Sequence, residues 1–407
     1  MPNKERLPRT VKLFGTVSLF NDFASEMIYP LLPAFFTSVL GAGAAALGTL
    51  DGAAEFSSAV VKYVAGKLSD RAERRGTLVV AGYGAAIVVR PLIAFTQAAW
   101  QVIGLRVVDR LGKGLRTPPR DAIIADATPP GLRGRAFGLH RGMDHAGAIL
   151  GPLAAWYLLA VHHLDLRHII AASIVPGVIA LALAIWATWD WKRREGEGAR
   201  EGGGKSPGQP EANQSERAAE MGDSERRTLF AAIGIFYFIR MPETLLILRS
   251  QELGVAVALV PLLWAGVHVF KSVLSFVAGS WTDRSGPVRP MWVGWVCYAV
   301  LAAGMGLART ALGAWILFLL LGSVWGLTES PERAVVARVA RARLGSGYGA
   351  FHAATGIAAL LGGIVLGSLY QHVGATPVFL GSAAAGAVLV GAYLLTGGSA
   401  RRRIAGS

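Results

Sequence analysis

Residues 64–71 read VAGKLSDR and residues 277–284 read VAGSWTDR, so the chain carries two copies of one motif, 213 positions apart. The same offset places Pro118 on Pro331 without a gap across about fifty residues, which chance rarely sustains. Arg120 meets Arg333 at the same offset. With a slip of one residue, the match continues into the next predicted helix of each copy, where His140 meets His352 and Gly151 meets Gly363. The sequence therefore predicts a duplicated fold.

Long apolar stretches flank both copies. Of the 407 residues, 53% are hydrophobic and 16% are charged, and the mean hydropathy is +0.45; this excess of apolar surface must face lipid. A helix needs about 20 residues to cross the hydrocarbon layer. Stretches of this kind lie at about 11–39, 45–68, 77–97, 99–125, 135–160, 167–190, 228–250, 256–280, 290–308, 311–335, 345–371 and 375–396. We therefore predict an all-α membrane protein with 12 transmembrane helices, whose first span is too long and too polar for a signal peptide.

The segment between the sixth and seventh spans has a different composition. Residues 191–227 are rich in Gly, Glu, Arg, Ser and Gln and nearly free of large apolar groups, which predicts a disordered cytoplasmic linker. This linker would separate an N-terminal six-helix bundle, residues 1–190, from a C-terminal six-helix bundle, residues 228–407. Two parallel repeats of six helices imply a cleft between pseudo-symmetric halves, with a substrate near the midplane.

The formal net charge of +14 is distributed over every second predicted loop. This alternation follows the positive-inside rule and predicts that both termini are cytoplasmic. Nucleic acid binding would need the basic groups on one folded surface, so it is a remote alternative. The single cysteine, Cys297, excludes a disulfide framework and a Cys-rich metal site. The sequence also lacks the motifs of hydrolases, metalloproteases and nucleotide-binding enzymes, so we expect neither an enzyme nor a cofactor.

Residues 66–75 read GKLSDRAERR, which resembles the signature G-x-L-x-D-R-x-G-R-R of the major facilitator superfamily, with Glu73 at a position that is usually Gly. The spans, duplicated halves, central loop and inside-facing termini extend the resemblance over nearly the whole chain. It implies the major facilitator fold, alternating access, and a latch that closes the cytoplasmic ends of the halves in the outward-facing state. Asp70 at a helix end can pair with Arg116 or Arg120. The latch residues implied are Gly66, Asp70, Arg71, Arg120, Asp283, Arg284 and Arg333.

A second resemblance lies on the fifth predicted helix. Gly138, Gly147, Gly151, Pro152 and Ala155 follow the spacing of the antiporter motif of drug and metabolite exporters, with Ala in place of the last Gly. Such spacing gives a smooth, bent helix face for close packing. The resemblance favours export, and plain helix packing in a Gly-rich chain is the alternative interpretation.

Polar groups within the predicted spans are candidates for chemistry because charges in a bilayer are costly and must face protein or water. Proton coupling needs a buried acid or histidine whose proton affinity changes during transport, and Asp22 and Glu26 share one helix face. The predicted proton-coupling and cleft residues are Asp22, Glu26, Glu55, His140, Asp144, Arg240, His268, Lys271 and His352. Arg116 and Glu329 occupy equivalent repeat positions with opposite charges, which predicts an ion pair across the halves that forms in one state.

Other charged groups are explained locally. Asp109 and Asp121 are flanked by arginines, so ion pairing within their own helix is the better interpretation. His162, His163 and His168 lie in a predicted external loop, where only Asp165 could complete a metal site.

The sequence as a whole predicts a secondary active transporter that exports a small organic compound in exchange for protons, as a monomer in the bacterial inner membrane. The first alternative is a proton-coupled importer of an organic anion, because the spans hold many Arg and Lys groups. The alternative of another class is a membrane-embedded enzyme or a non-transporting receptor. The residues leave open whether the coupling ion is a proton or sodium.

Overall fold

A computed structural model describes residues 7–69, 72–200, 223–339 and 344–404. These ranges are almost entirely helical and contain no β-strand, which confirms the all-α prediction. The helices are α1 (Arg9–Ile28), α2 (Leu32–Ala34), α3 (Ala44–Ser69), α4 (Ala72–Leu92), α5 (Ala99–Asp126), α6 (Arg133–Ala160), α7 (Leu166–Ala172), α8 (Ile174–Arg200), α9 (Asp223–Ile239), α10 (Glu243–Glu252), α11 (Val260–Ser285), α12 (Val288–Leu307), α13 (Ala311–Val339), α14 (Leu344–Val373) and α15 (Ala375–Ile404). We call α1–α8 the first half and α9–α15 the second half.

Eight of the described helical segments are long and apolar enough to cross a membrane. They comprise α4, α7 with α8, α9 with α10, and each of α11 to α15. The segments formed by α1 with its continuation to Val39, by α3, by α5 and by α6 do not meet this criterion. They carry charged groups in their middle, such as Asp22, Glu55, Arg110 and Asp144. The exact number of twelve crossings therefore stays a prediction.

Two of the segments are interrupted by proline. α1 ends at Ile28 and continues as a 3₁₀ turn at Tyr29–Leu31, the short helix α2 and a π-helical turn at Phe35–Val39. α9 ends at Ile239, and α10 begins after Pro242, whose ring cannot continue a helix. The Tyr29 hydroxyl lies 3.0 Å from Glu243 Oε2, so the two breaks meet at one level between the halves.

The halves contact each other most extensively through α3 and α14. Gly48, Gly52, Gly363 and Gly367 allow this contact, because a Cβ at any of them would meet backbone atoms of the facing helix. Small residues of this kind let helix backbones approach closely in lipid. We call the end of the bundle where α3 begins and α14 ends the opposite end, and the end where α1 begins and α15 ends the termini end.

The buried apolar residues form clusters that differ between the two ends of the bundle. The largest buried cluster joins the halves and includes Phe35, Leu47, Leu245 and Trp264. A separate cluster near the termini end is built from first-half residues alone, among them Val11 and Trp191. The halves are thus sealed together at the opposite end in this conformation.

The predicted linker overlaps the helices at both of its edges. α8 continues to Arg200 and α9 begins at Asp223, so the described parts of residues 191–227 are helical. Residues 201–222 lie outside the described ranges.

Candidate functional site

A cavity of about 480 Å³ lies between the halves. Its walls come from α1, α3, α5 and α6 of the first half, and from α9, α10, α11, α13 and α14 of the second. All nine residues predicted for proton coupling and the cleft line it: Asp22, Glu26, Glu55, His140, Asp144, Arg240, His268, Lys271 and His352. These residues come from five different helices and from the break between α9 and α10, and the fold brings them to one space.

The cavity extends from the two helix breaks towards the termini end. Tyr29, Glu243 and Trp264 line its inner limit, where the halves are in contact. Asp121 and Phe137 line its other limit, near the termini ends of α5 and α6. The Asp121 side chain is 43% exposed and Phe137 is 38% exposed. Among the described residues, the cavity is therefore accessible from the termini end.

The cavity walls are highly charged but balanced. Eight basic side chains, eight carboxylates and four histidines line the space. Since each charge is removed from bulk water, it needs counter-charges or hydrogen bonds from neighbouring helices. Much of the candidate site's chemistry lies in how these groups are paired.

Glu26 connects the two halves across the cavity. Its Oε2 accepts a hydrogen bond from Trp264 Nε1 at 2.9 Å and lies 3.8 Å from His268 Nε2. The second distance is too long for a hydrogen bond, and neither ring nitrogen of His268 has a hydrogen-bond partner among the described residues. The Trp264 ring also packs on Tyr29, with ring centroids 4.9 Å apart. Separation of the halves would break all of these contacts.

Asp22 and Asp144 interact with groups of their own half. Asn21 Nδ2 donates to Asp22 Oδ1 at 2.9 Å. Ser18 donates to Asp144, and His140 Nδ1 lies 3.6 Å from Asp144 Oδ2. His140 is only 4% exposed, and its Nε2 has no partner among the described residues.

Arg116 and Glu329 are not paired with each other in this conformation. Glu329 Oε1 accepts from Lys271 Nζ at 2.7 Å, within the second half. Arg116 donates to the Gly82 carbonyl oxygen at 3.1 Å and to Asn21 Oδ1 at 3.2 Å. Each side chain thus finds a partner in its own half. A pair between them in another conformation stays a prediction.

Glu55 lies among cations from both halves. Lys62, Arg110 and Lys113 surround it from the first half, and Arg240 from the second. The Arg240 guanidinium lies over the Tyr237 ring at 4.9 Å, a favourable cation–π geometry. The buried Nε of Arg110 has no hydrogen-bond partner among the described residues. His352 lies on the second-half wall, with its ring against Phe351.

Local ion pairing of Asp109 and Asp121 is confirmed. Asp109 lies 2.9 Å from Arg90 Nε and 3.2 Å from Arg106 Nη1, and all three side chains are at most 5% exposed. Asp121 Oδ1 lies 2.8 Å from Arg120 Nη2. Arg90 also donates to Asn21, so the buried group ties α1, α4 and α5 together.

The predicted latch falls mostly on residues that the structure does not describe. Asp70 and Arg71 lie outside the described residues, as do the side chains of Asp283 and Arg333. Gly66 lies in α3, and the exposed Arg284 lies in the last turn of α11. The latch therefore stays a prediction.

The motif of the fifth span packs α6 against α1. A Cβ at Gly147 or Gly151 would collide with backbone atoms of Leu19 or Phe23. Pro152 is buried inside α6, whereas a Cβ at Gly138 would meet nothing within 4 Å.

Four residues at the inner limit of the cavity form a polar cluster that sequence reasoning missed. The Tyr29 hydroxyl lies 3.0 Å from Asp51 Oδ1 and 3.0 Å from Glu243 Oε2. Asp51 Oδ2 accepts from the Thr244 backbone N–H at 3.0 Å and from its hydroxyl at 2.8 Å. We call Tyr29, Asp51, Glu243 and Thr244 the seal cluster. The available signal was a carboxylate one turn before Glu55, and another directly after a proline in a predicted span.

Asp165, the acid next to the three histidines of the predicted external loop, caps a helix. Asp165 is the N-cap of α7, where its Oδ1 accepts from the His168 backbone N–H at 2.9 Å. This hydrogen bond lowers the pKa of Asp165. Among the described residues, no group of three or more His, Cys, Asp or Glu side chains is arranged to hold a metal ion.

An all-helical membrane protein with a polar cavity between two similar halves has the architecture of a solute transporter. The model of the Major Facilitator Superfamily matches residues 14–331, and the chain belongs to this family, whose members are transporters and not enzymes. An uncharacterized MFS-type transporter of Methanocaldococcus jannaschii is 26% identical over 381 residues, covering 91% of this chain and 90% of the relative.

Two further proteins are similar in part of the sequence or in the fold. The multidrug resistance protein MdtH of Escherichia coli is 26% identical over 166 residues, which cover 41% of this chain and 40% of MdtH. The crystal structure of the nucleoside transporter NupG has a TM-score of 0.72 at 13% identity, covering 95% of this chain and 99% of NupG. At this identity the structural match shows the fold alone.

Proposed function

We propose that this transporter is secondary active and couples the movement of a small organic compound to protons by alternating access. The observation that carries the proposal is Glu26, a cavity carboxylate of the first half that is held by Trp264 and lies beside His268, both of the second half. A carboxylate that loses a hydrogen bond and a nearby histidine when the halves separate also changes its proton affinity. Asp22 and Glu55 line the same cavity and are the other proposed proton carriers.

The cavity favours a hydrophilic substrate. A volume of about 480 Å³ fits a small organic compound, and walls with charges of both signs favour one that bears charged groups. The positive-inside pattern supports cytoplasmic termini in a bacterial inner membrane. In that orientation this conformation is open to the cytoplasm.

Export is supported by two observations. The fifth-span motif resembles that of exporters, and part of the chain is similar to a multidrug resistance protein. Uptake of an organic anion is the second candidate, and the buried Nε of Arg110, which has no hydrogen-bond partner in the part of the chain that the structure describes, favours it. A substrate carboxylate could accept from this donor, since guanidinium groups match carboxylates well.

The test is transport by the purified protein in proteoliposomes with an imposed pH gradient and an entrapped pH-sensitive dye. The probes are ethidium, succinate and alanine, with Asp22→Asn and Glu26→Gln measured in parallel. Glu252→Gln is the matched control, because Glu252 contacts Arg249 and Tyr370 within the second half.

We expect one probe to dissipate the gradient with the wild-type protein and the control, and both cavity variants to lose this activity. Flux that is independent of the gradient and unchanged in both cavity variants would remove these carboxylates from the mechanism. The direction of probe movement relative to protons separates export from import.

A further inference from the structure

The seal cluster joins two carboxylates of opposite halves through one hydroxyl. Asp51 belongs to α3 and Glu243 to the start of α10, and each places an oxygen 3.0 Å from the Tyr29 hydroxyl oxygen. Both carboxylate oxygens lie at hydrogen-bond distance from the same hydroxyl oxygen, so they can be no farther from each other than twice that distance. Like charges this close in a buried site repel strongly.

The number of hydrogens at the cluster is decisive. A tyrosine hydroxyl has a single hydrogen, so it can donate to only one of the two carboxylates. Asp51 accepts from the Thr244 N–H and hydroxyl as well as from Tyr29, the pattern of an ionised carboxylate. Glu243 can then bond to the Tyr29 oxygen only by donating, which requires a proton on Glu243. We infer that Glu243 and Asp51 form a binding site for one proton, which is occupied when the opposite end of the transporter is closed.

The proton has a route to this site. A second cavity of about 50 Å³ lies beside the cluster and is lined by Asp51, Glu55, Arg110, Arg240 and Glu243, among others. This volume is sufficient for water. Glu55, Arg110, Arg240 and Glu243 also line the main cavity, so water that filled the smaller cavity would connect the site with the space that is open to the termini end.

The surrounding charges set the energy of the site. Arg106 lies over the Tyr29 ring at 5.0 Å, and Arg110 of the same helix also acts on Tyr29. Arg240, which directly follows α9, and Glu55 of α3 interact electrostatically with Glu243. The guanidinium groups keep their charge at any physiological pH, so among these neighbours Glu55 is the other group that can titrate. With Glu243 protonated, the cluster carries one negative charge, which these arginines balance.

This inference deepens the proposed function, because loss of the proton would leave two facing carboxylates and weaken the closed opposite end. A single proton changes the ratio of closed to open molecules by at most about tenfold per pH unit. Proton release into the main cavity would thus favour opening of the opposite end, a step that proton-coupled exchange requires.

The test measures the opposite end directly and needs no solute. Spin labels are attached to cysteines in a Cys297→Ala background, at Ser38→Cys in the first half and Arg309→Cys in the second half, both exposed positions. The distance between the labels, measured by double electron–electron resonance, reports the opening of this end. The distance distribution is recorded from pH 5 to pH 9 for the parent protein, Glu243→Gln, Asp51→Asn, Glu55→Gln and the control Glu252→Gln, with folding checked by size-exclusion chromatography.

We expect the longer distance to gain population with rising pH in the parent and in the Glu252→Gln and Glu55→Gln proteins. Glu243→Gln should lose this rise of the longer distance with pH, since its amide can donate to Tyr29 as the protonated acid does. Asp51→Asn should also lose this rise, because its amide nitrogen can donate to the Tyr29 oxygen while Tyr29 donates to an ionised Glu243 and the amide oxygen accepts from Thr244. Unchanged pH dependence in Glu243→Gln, or its loss in Glu55→Gln, would overturn the inference. If solute flux proves independent of the pH gradient while these distances respond as expected, only the proposed function fails.

Discussion

Replacing Gly48 with alanine tests whether close contact between α3 and α14 closes the opposite end. A Cβ at Gly48 would overlap the Gly363 carbonyl oxygen and lie 2.9 Å from Gly367 Cα. The atoms that it meets belong to backbone, which cannot move aside like the end of a flexible side chain. The two helices must therefore separate, but only in the conformation that holds them together.

The size of the effect follows from this selectivity. Overpacking of a close contact costs about 1–3 kcal/mol, and the gain in helix propensity from Gly to Ala is the same in both conformations. The ratio of open to closed molecules at the opposite end should rise by about 5- to 150-fold. The Ser38 and Arg309 spin-label pair measures this ratio, and we expect a larger long-distance population.

Gly104→Ala is the matched control, because Gly104 also lies in a helix of the first half and a Cβ there would meet nothing within 4 Å. It should leave the distance distribution unchanged. A folded Gly48→Ala protein with the distribution of the Gly104→Ala control would refute the claim that this contact closes the opposite end.

Three further predictions concern single interactions. Asp109→Asn should destabilise the protein by about 3–5 kcal/mol, because it leaves Arg90 and Arg106 buried without their counter-ion. Thermal unfolding in detergent measures this loss of stability, and a loss of stability no larger than that of Asp121→Asn would contradict the prediction. Trp264→Phe should weaken the closed opposite end by about 1.5–3 kcal/mol, because the hydrogen bond to Glu26 is lost while the ring can still pack on Tyr29; an unaltered spin-label distribution would argue against this. The folded-state pKa of Asp165 is lowered, so its cap on α7 should be present above the usual Asp pKa and lost as pH falls through the folded value. At that lower pH, hydrogen exchange of the His168 amide should accelerate relative to the intrinsic rate of an unprotected amide at the same pH. No such acceleration is expected in Asp165→Asn.

The fold was accessible to sequence reasoning because lipid imposes simple demands. Apolar stretches of helix length and the repeated Asp-Arg motif required a helical membrane protein with two similar halves. The same demands located much of the site, since charged groups such as Asp22, Glu55 and Lys271 cannot face lipid and must collect in the interior. All nine predicted cleft residues line one cavity for this reason.

The pairing of those groups was not accessible to the same reasoning. Repeat symmetry relates Arg116 to Glu329, but equivalence of positions does not specify which partners each side chain has in a given conformation. Arg116 is held by Asn21 and Gly82 of the first half, and Glu329 of α13 is held by Lys271 of α11 in the second half. The seal cluster depends on the local breaks at Pro30 and Pro242, whose geometry a hydropathy pattern does not contain.

The central claim is that the halves must separate at the opposite end for solute to cross. Gly43 and Gln371 face each other there, since a Cβ at Gly43 would lie 2.7 Å from Gln371 Oε1. In a Cys297→Ala protein with Gly43→Cys and Gln371→Cys, oxidation should cross-link the halves. The decisive measurement is flux, into or out of proteoliposomes, of whichever of ethidium, succinate or alanine the parent protein carries. We predict that oxidation abolishes this flux and that a reductant restores it, while each single-cysteine protein is unaffected. Undiminished flux through fully cross-linked protein would contradict alternating access.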